Sequence, residues 1–335
     1  MASVAPAKVS NKFQNVLECI GNSPLIRLNV ISKELNTNVW AKMESMNPGL
    51  SAKDRIALFM IEKAEEEGRL TKGGTIVEAT SGNTGYSMAM ISSIKGYKCI
   101  LCVTSKISQA KKDSLEAMGA IVVVCPKEAK PDAPESYYET AKRIARETPN
   151  SLYLNQNFDE YNMMAHYHST GPEIWEQTEG EITHYVCSTG TGGTMSGTAK
   201  YIKEQNPNVT MVGVDAYGSV LKKFWETGVY DKNEISSYRI EGTGKNIIPK
   251  NVKFEFIDEY TKVTDKSAAL MARRLALEEG LMVGYSSGGN VQALYEMKHL
   301  FKPTDTVVVM ICDHGSRYLG KIFNDDWMRD QGFID

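Results

Sequence analysis

Short, continuously apolar runs alternate along the chain with longer segments whose apolar positions recur at helical spacing. Thr75-Ile-Val-Glu-Ala79 precedes a helix-like 83–96, Lys98-Cys-Ile-Leu-Cys-Val-Thr104 precedes 108–120, and Ile121-Val-Val-Val-Cys125 precedes 134–147. The order resumes with 182–187, a helical 193–205, the run 210–215, helical patterns over 266–280 and 291–300, and the last run Thr306–Cys312. Strands that are apolar throughout belong to parallel sheets covered on both faces. The alternation therefore predicts an α/β protein of the doubly wound class. One βα series gives way to another near 150–160, and neither contains an internal repeat. The polar, proline-marked stretch 126–134 reads as a loop.

Each series carries one glycine-rich strand-to-helix turn: Thr80-Ser-Gly-Asn-Thr-Gly85 and Gly190-Thr-Gly-Gly-Thr194. Such a turn can cradle an anion, because free backbone N–H groups and the positive end of the helix point the same way. Residues 192–197 have the glycine spacing of a P-loop, but Thr198 and Ala199 stand where its lysine and hydroxyl should be. The dinucleotide pattern fails as well, at Met195. A single glycine-rich turn needs no ligand to explain it. Here a second turn is rich in hydroxyls, which suits a carboxylate. Lys53 sits among small residues at a helix start, and Gly284-Tyr-Ser-Ser-Gly-Gly289 is another hydroxyl-rich turn before a helix. Two turns facing one cleft would make a site between domains.

Bulk properties narrow the partners. A net charge of -3 offers no field for nucleic acid or an anionic membrane, so any anion must be bound locally. The first dozen residues lack the apolar stretch of a secretory signal and read as a loose arm. No run reaches a membrane span of about 18 apolar residues. The six cysteines, Cys19, Cys99, Cys102, Cys125, Cys187 and Cys312, read as free thiols of a cytoplasmic protein. Cys99 and Cys102 form a CxxC, but within a strand they point to opposite faces. His166 and His168 flank Tyr167 two residues apart and have no partner at zinc spacing, so no metal is expected.

A phosphate cradle, a carboxylate cradle and a candidate amine nucleophile are what a pyridoxal phosphate enzyme acting on an amino acid requires. With Ile20-Gly-Asn-Ser-Pro-Leu-Ile-Arg-Leu28, Asn47-Pro-Gly-Leu-Ser-Ala-Lys-Asp-Arg55 and Trp327-Met-Arg-Asp-Gln-Gly-Phe333, the chain resembles the fold-type II β-replacement family of cysteine synthases and cystathionine β-synthase cores. Lys53–Glu62, Pro134-Glu-Ser136, Met164-Ala-His-Tyr167 and the ending around Asp313 and Trp327 are closer to the cystathionine β-synthase core. No haem-binding extension or regulatory tandem domain is expected, since the first histidine is His166 and the sequence ends at Asp335.

The resemblance implies two doubly wound domains with the site in their cleft. These are a flexible arm over 1–12, a smaller mobile domain over 47–157, and a larger phosphate-binding domain of 13–46 plus 158–335. It implies Lys53 as Schiff-base lysine and proton acceptor, Asn83 at the ring hydroxyl, and Gly190, Thr191, Gly192, Gly193 and Thr194 around the phosphate. Ser286 would face the ring nitrogen, a neutral partner that favours β-elimination over transamination. Thr80, Ser81, Thr84 and Gln156 would hold the substrate carboxylate, and Tyr167 would stand at the mouth of the acceptor site. Tyr285 beside Ser286 is expected to narrow the pocket, and Ala79 takes the place of a proline. Lys245, where cystathionine β-synthases usually have tyrosine, is expected to attract an anionic group.

The implied reaction is a β-replacement on serine or an O-activated serine, through an aminoacrylate, with homocysteine, sulfide or sulfite as acceptor. Release of sulfide from cysteine runs the step in reverse. A catalytically silent pyridoxal phosphate sensor is the non-enzyme alternative, opposed by the retention of Lys53, Asn83 and Ser286. The family implies a homodimer with small-molecule substrates.

Overall fold

A 3-10 turn over 16–19 leads into strand β1 (Leu25–Arg27), helix α1 (Asn29–Leu35) and strand β2 (Asn38–Met43), which pairs antiparallel with β1. Helix α2 (Lys53–Glu66) follows, and then the first alternating series. It comprises β3 (Thr75–Ala79), α3 (Asn83–Lys95), β4 (Lys98–Thr104), α4 (Gln109–Ala117), β5 (Ile121–Cys125), α5 (Tyr137–Glu147) and β6 (Ser151–Tyr153). Helices α6 (Tyr161–Tyr167) and α7 (Thr170–Gln177) lead to β7 (His184–Ser188), α8 (Gly193–Gln205), β8 (Thr210–Ala216) and α9 (Leu221–Thr227). The chain closes with β9 (Glu259–Val263), α10 (Asp265–Glu278), α11 (Tyr285–Glu296), β10 (Thr306–Ile311) and α12 (Asp325–Asp330). This computed structural model describes residues 12–130 and 132–335, so the arm expected over 1–12 lies, but for Lys12, outside them.

The strands form two sheets. One has the order β1-β2-β10-β7-β8-β9 and is parallel apart from the β1–β2 pair; the other, β5-β4-β3-β6, is parallel throughout. The apolar runs serve two cores at once. Val307, Val309 and Ile311 of β10 enter the core that includes Ala268 and Leu294, while Val308 and Met310 face Met195 and Ile202 of α8. The same alternation separates Cys99 from Cys102, which enter different cores of the smaller sheet.

Helix α2 packs Ile56, Met60 and Ile61 against Ile76 and Leu101 of the smaller sheet and Met88 of α3. Its first turn is held to the larger sheet by buried charge. Arg55 Nε donates to Glu44 at 2.7 Å and Nη1 to Glu173 at 2.6 Å, and Lys42 Nζ donates to Glu173 at 2.7 Å. Burial alone would raise the Glu44 carboxyl, but the Arg55 charge holds it well below the usual carboxylate range. The helix that carries Lys53 is thus anchored to both sheets.

Candidate active site

Both glycine-rich turns open at the carboxyl ends of parallel strands, where backbone groups leave the ladders and helices begin. After β7 the chain turns left-handed at Gly192 (φ +93°) and starts α8 at Gly193 with no side-chain cap. The first N–H groups of α8 are therefore left for a ligand. A Cβ at Gly192 would lie 2.5 Å from the Val252 backbone nitrogen, and one at Gly190 would run into the Gly242 carbonyl oxygen. Glycine here lets the loop over 241–246 lie directly on the cradle.

Lys53, Thr80, Asn83, Thr84, Gln156, Gly190, Thr191, Gly192, Thr194, Lys245 and Ser286 line one cavity of about 490 Å³. Asn83 begins α3, and Ser286 lies in the first turn of α11. The Gly284–Gly289 stretch, expected as a turn before a helix, is itself the start of that helix. Gln156 is held from several sides. Thr84 Oγ1 donates to its Oε1 at 2.7 Å, Asn162 Nδ2 donates to its carbonyl at 2.6 Å, and its N–H donates to Glu78 at 3.3 Å. Asn162 Nδ2 also donates to Thr191 Oγ1 at 3.0 Å, so the carboxylate side and the phosphate side share a support.

Three expectations need correction. Tyr167 does not line the cavity; its hydroxyl donates to Glu204 at 2.7 Å and Lys200 lies 4.2 Å from its ring, on the face where α6 meets α8. Ser81 is turned away too, its hydroxyl accepting from the Thr104 N–H at 3.3 Å. Gly193 is the first residue of α8, and a Cβ there would meet the Asn162 side chain. Tyr285 is fully buried in the core and its hydroxyl donates to the Asp265 carbonyl at 2.9 Å, so it does not narrow the pocket.

The electrostatics are uneven. Burial, reinforced by Lys53, lowers the Lys245 ammonium to about 8, while Glu78 opposes the shift. Among the described residues no carboxylate lies within ion-pair distance of Lys245. Its backbone is pinned, the N–H donating to Ser219 Oγ at 2.9 Å and the carbonyl accepting from Val220 at 2.9 Å. Burial raises Glu78 to about 7. His166, fully buried, is lowered by burial to about 3, and its neutral ring meets Thr194 Oγ1 at 3.1 Å and Thr170 Oγ1 at 2.8 Å. It props the cradle.

Several lining residues escaped the sequence reading. Cys187 of β7 and Cys312, just past the end of β10, face the cavity, and a hydrogen bond from Cys187 lowers the Cys312 thiol to about 7. Tyr137, Tyr138 and Tyr238 line it as well. Asp313 and Tyr318 stand behind Asn83. None of these has a motif of its own; only the fold brings them here.

The chemistry of the set suits a phosphorylated, ring-bearing cofactor: uncapped N–H groups at α8, an amine at Lys53, an amide at Asn83, a neutral hydroxyl at Ser286. The buried Thr243 hydroxyl in the wall has no partner among the described residues. Comparison with known proteins agrees. The model of the family described as pyridoxal-phosphate dependent enzyme matches residues 16–313. A cystathionine beta-synthase of Dictyostelium discoideum is 45% identical over 96% of the chain, which spans 64% of that relative. Cysteine synthase 1 of Neurospora crassa is 38% identical over all of the chain and 92% of its own length. A hydrogen sulfide-producing enzyme of Fusobacterium nucleatum superposes with a TM-score of 0.84 at 32% identity, covering 92% of this chain and all of that one.

Proposed function

Because the chain belongs to the pyridoxal-phosphate dependent enzyme family, matched over residues 16–313, we propose that it replaces the β-substituent of serine or an O-activated serine with a sulfur nucleophile. The observation that carries this reading is the convergence of an amine, a phosphate cradle and a carboxylate cradle on one cavity. Pyridoxal phosphate, when bound, supplies the electron sink that stabilises the charge left at the substrate α-carbon. The residues do the rest. The Lys53 amine takes the α-proton. Gly190–Thr194 and the start of α8 would hold the phosphate, Asn83 would donate to the ring oxygen, and the neutral Ser286 hydroxyl would face the ring nitrogen without imposing a charge. Thr80, Thr84 and Gln156 orient the α-carboxylate. Lys245 presents a point charge to an anionic group on the donor or the nucleophile. The two sheets' units, with boundaries at 47–157 and 13–46 plus 158–335, close over the substrate and exclude water.

An absorbance titration tests the reading. Purified protein is mixed in turn with L-serine, O-acetylserine and O-phosphoserine, and then with sulfide, sulfite or homocysteine. A visible-band change on adding a donor, reversed by a sulfur nucleophile, supports replacement; no change with any donor overturns it. Lys53→Ala should abolish the visible band of the lysine-bound cofactor. A response to O-phosphoserine discharged by sulfite identifies a cysteate-forming enzyme. Plain serine with homocysteine identifies cystathionine formation. A second reading, sulfide release from cysteine, draws support from the Fusobacterium neighbour described as hydrogen sulfide-producing; sulfide evolved from cysteine alone would favour it. The free thiols are consistent with a cytoplasmic setting, and no described helix is long and apolar enough to cross a membrane. Family resemblance supports a second copy of the chain as partner.

A further inference from the structure

The segment just beyond β10 bonds to Asn83 and to residues beside Lys53 and Ser286. Cys312 accepts the Ala52 N–H at 2.9 Å, next to Lys53, and His314 donates its N–H to Leu50 at 3.1 Å. On the other side, Gly284 N–H donates to the Asp313 carbonyl at 2.9 Å and Cys312 N–H to Ser287 Oγ at 2.9 Å, beside Ser286. From this strip two side chains reach Asn83. Asn83 Nδ2 donates to Asp313 Oδ2 at 2.7 Å, and Arg317 Nη1 donates to Asn83 Oδ1. Asp313 is only 1% exposed, and Tyr318 donates to the same oxygen at 2.7 Å. Arg317 is fixed in turn by a bond from Nη2 to the Gly49 carbonyl and by stacking 4.1 Å from the centre of the Tyr86 ring.

A carboxylate on one side and a guanidinium on the other permit one orientation of the amide. Turned over, Asn83 would set its NH2 against Arg317 and its oxygen against Asp313, losing two charge-assisted bonds and gaining two repulsions. One N–H of Nδ2 is spent on Asp313 and the other remains for the cavity that Asn83 lines. We propose that Asp313 and Arg317 are positioning residues that lock the Asn83 amide so that its remaining N–H serves the cofactor. They do so across the cleft. Asn83 starts a helix of the smaller sheet, whereas the clamp extends from the last strand of the larger one. The orientation of the amide is thus tied to contact between elements of the two sheets.

The inference rests on the assignment of Asn83 to the cofactor ring, and the experiment separates the two. Holoenzyme is prepared as Asn83→Ala, Asp313→Asn, Arg317→Met, Arg317→Lys and the Asn83→Ala/Arg317→Met double variant. The readouts are the position and pH titration of the visible cofactor band, the cofactor dissociation constant, and the melting temperature. Asp313→Asn and Arg317→Met should displace the band in the same direction as Asn83→Ala. They should weaken cofactor binding about fivefold, the worth of one hydrogen bond. The double variant should show no shift beyond that of Asn83→Ala, and Arg317→Lys, which retains one donor, should return part of it. Wild-type bands in Asp313→Asn and Arg317→Met, with only the melting temperature lowered, would overturn the clamp while leaving Asn83 in place. An unchanged band in Asn83→Ala would overturn both. Arg317 is only half-buried, so its variants keep the test open even if Asp313→Asn does not fold.

Discussion

Replacing Lys245 by methionine removes a charge that the fold holds in an unfavourable place. The stem is retained in length and the apolar wall is kept, so little packing is lost. The fall of the ammonium from 10.5 to about 8 corresponds to roughly 3 kcal/mol of destabilisation near neutral pH. Water in the cavity relieves part of that, so the expected gain for Lys245→Met is about 1–3 kcal/mol at pH 7. The sign with pH follows from the depressed folded value. Below about 8 the folded protein must carry the charge. As pH rises toward 10.5, the unfolded chain also sheds its proton and the difference closes. Urea unfolding of the cofactor-free chain should therefore show the variant more stable at pH 7, with the advantage reduced to below ~1 kcal/mol at pH 10. A variant less stable than wild type at pH 7, or a gain that does not shrink at pH 10, would refute the reasoning. The same substitution should raise KM for an anionic substrate about tenfold or more, the loss of one charge-assisted contact. Values for a neutral substrate should stay as they were. Stability gained and recognition lost in one variant is the mark of a functional charge.

Further outcomes follow from particular contacts. Gly192→Ala forces a Cβ to 2.5 Å from the Val252 nitrogen at a left-handed position and should abolish retention of the cofactor through gel filtration, with the melting temperature also falling. Tyr167→Phe removes only a surface bond to Glu204; kcat and KM for donor and acceptor should match wild type, and a tenfold loss would restore this residue to the site. Glu78, raised to about 7 by burial, contributes stability below about pH 4.5 that is lost as pH rises through about 7. Urea midpoints should therefore fall between pH 6 and 8 in wild type more steeply than in Glu78→Gln. His166→Ala leaves Thr194 without its imidazole partner at 3.1 Å and should weaken cofactor binding about fivefold, measured by equilibrium dialysis.

The order of strands and helices was legible because burial on both faces of a parallel sheet leaves an unmistakable apolar run. β3, β4 and β5 begin and end where Thr75–Ala79, Lys98–Thr104 and Ile121–Cys125 predict. Strands β1, β2, β6 and β9 escaped, being three to six residues long and mixed in polarity. Helix α11 begins six residues before the predicted Val291, because Tyr285 through Asn290 are small or buried and carry no helical stripe. Lys53, Asn83, Ser286 and the two cradles were readable because close backbone approach demands glycine and small hydroxyls in an order along the chain. Ser81 and Tyr167 failed for a different reason. A motif names a neighbourhood, whereas the direction of a side chain depends on what packs beside it. The supports behind the site reach across the sequence, Asp313 and Arg317 to Asn83, Asn162 to Thr191 and His166 to Thr194, and each is an ordinary residue in its own segment. By itself the sequence determined the alternation, the glycine-rich turns and the reactive groups, since these follow from local conformational limits and apolar periodicity. Only the tertiary structure decided which of those groups face the same space, how the Asn83 amide is oriented, and that Lys245 has no carboxylate at ion-pair distance among the described residues. Such properties depend on distances between residues that the chain order keeps apart.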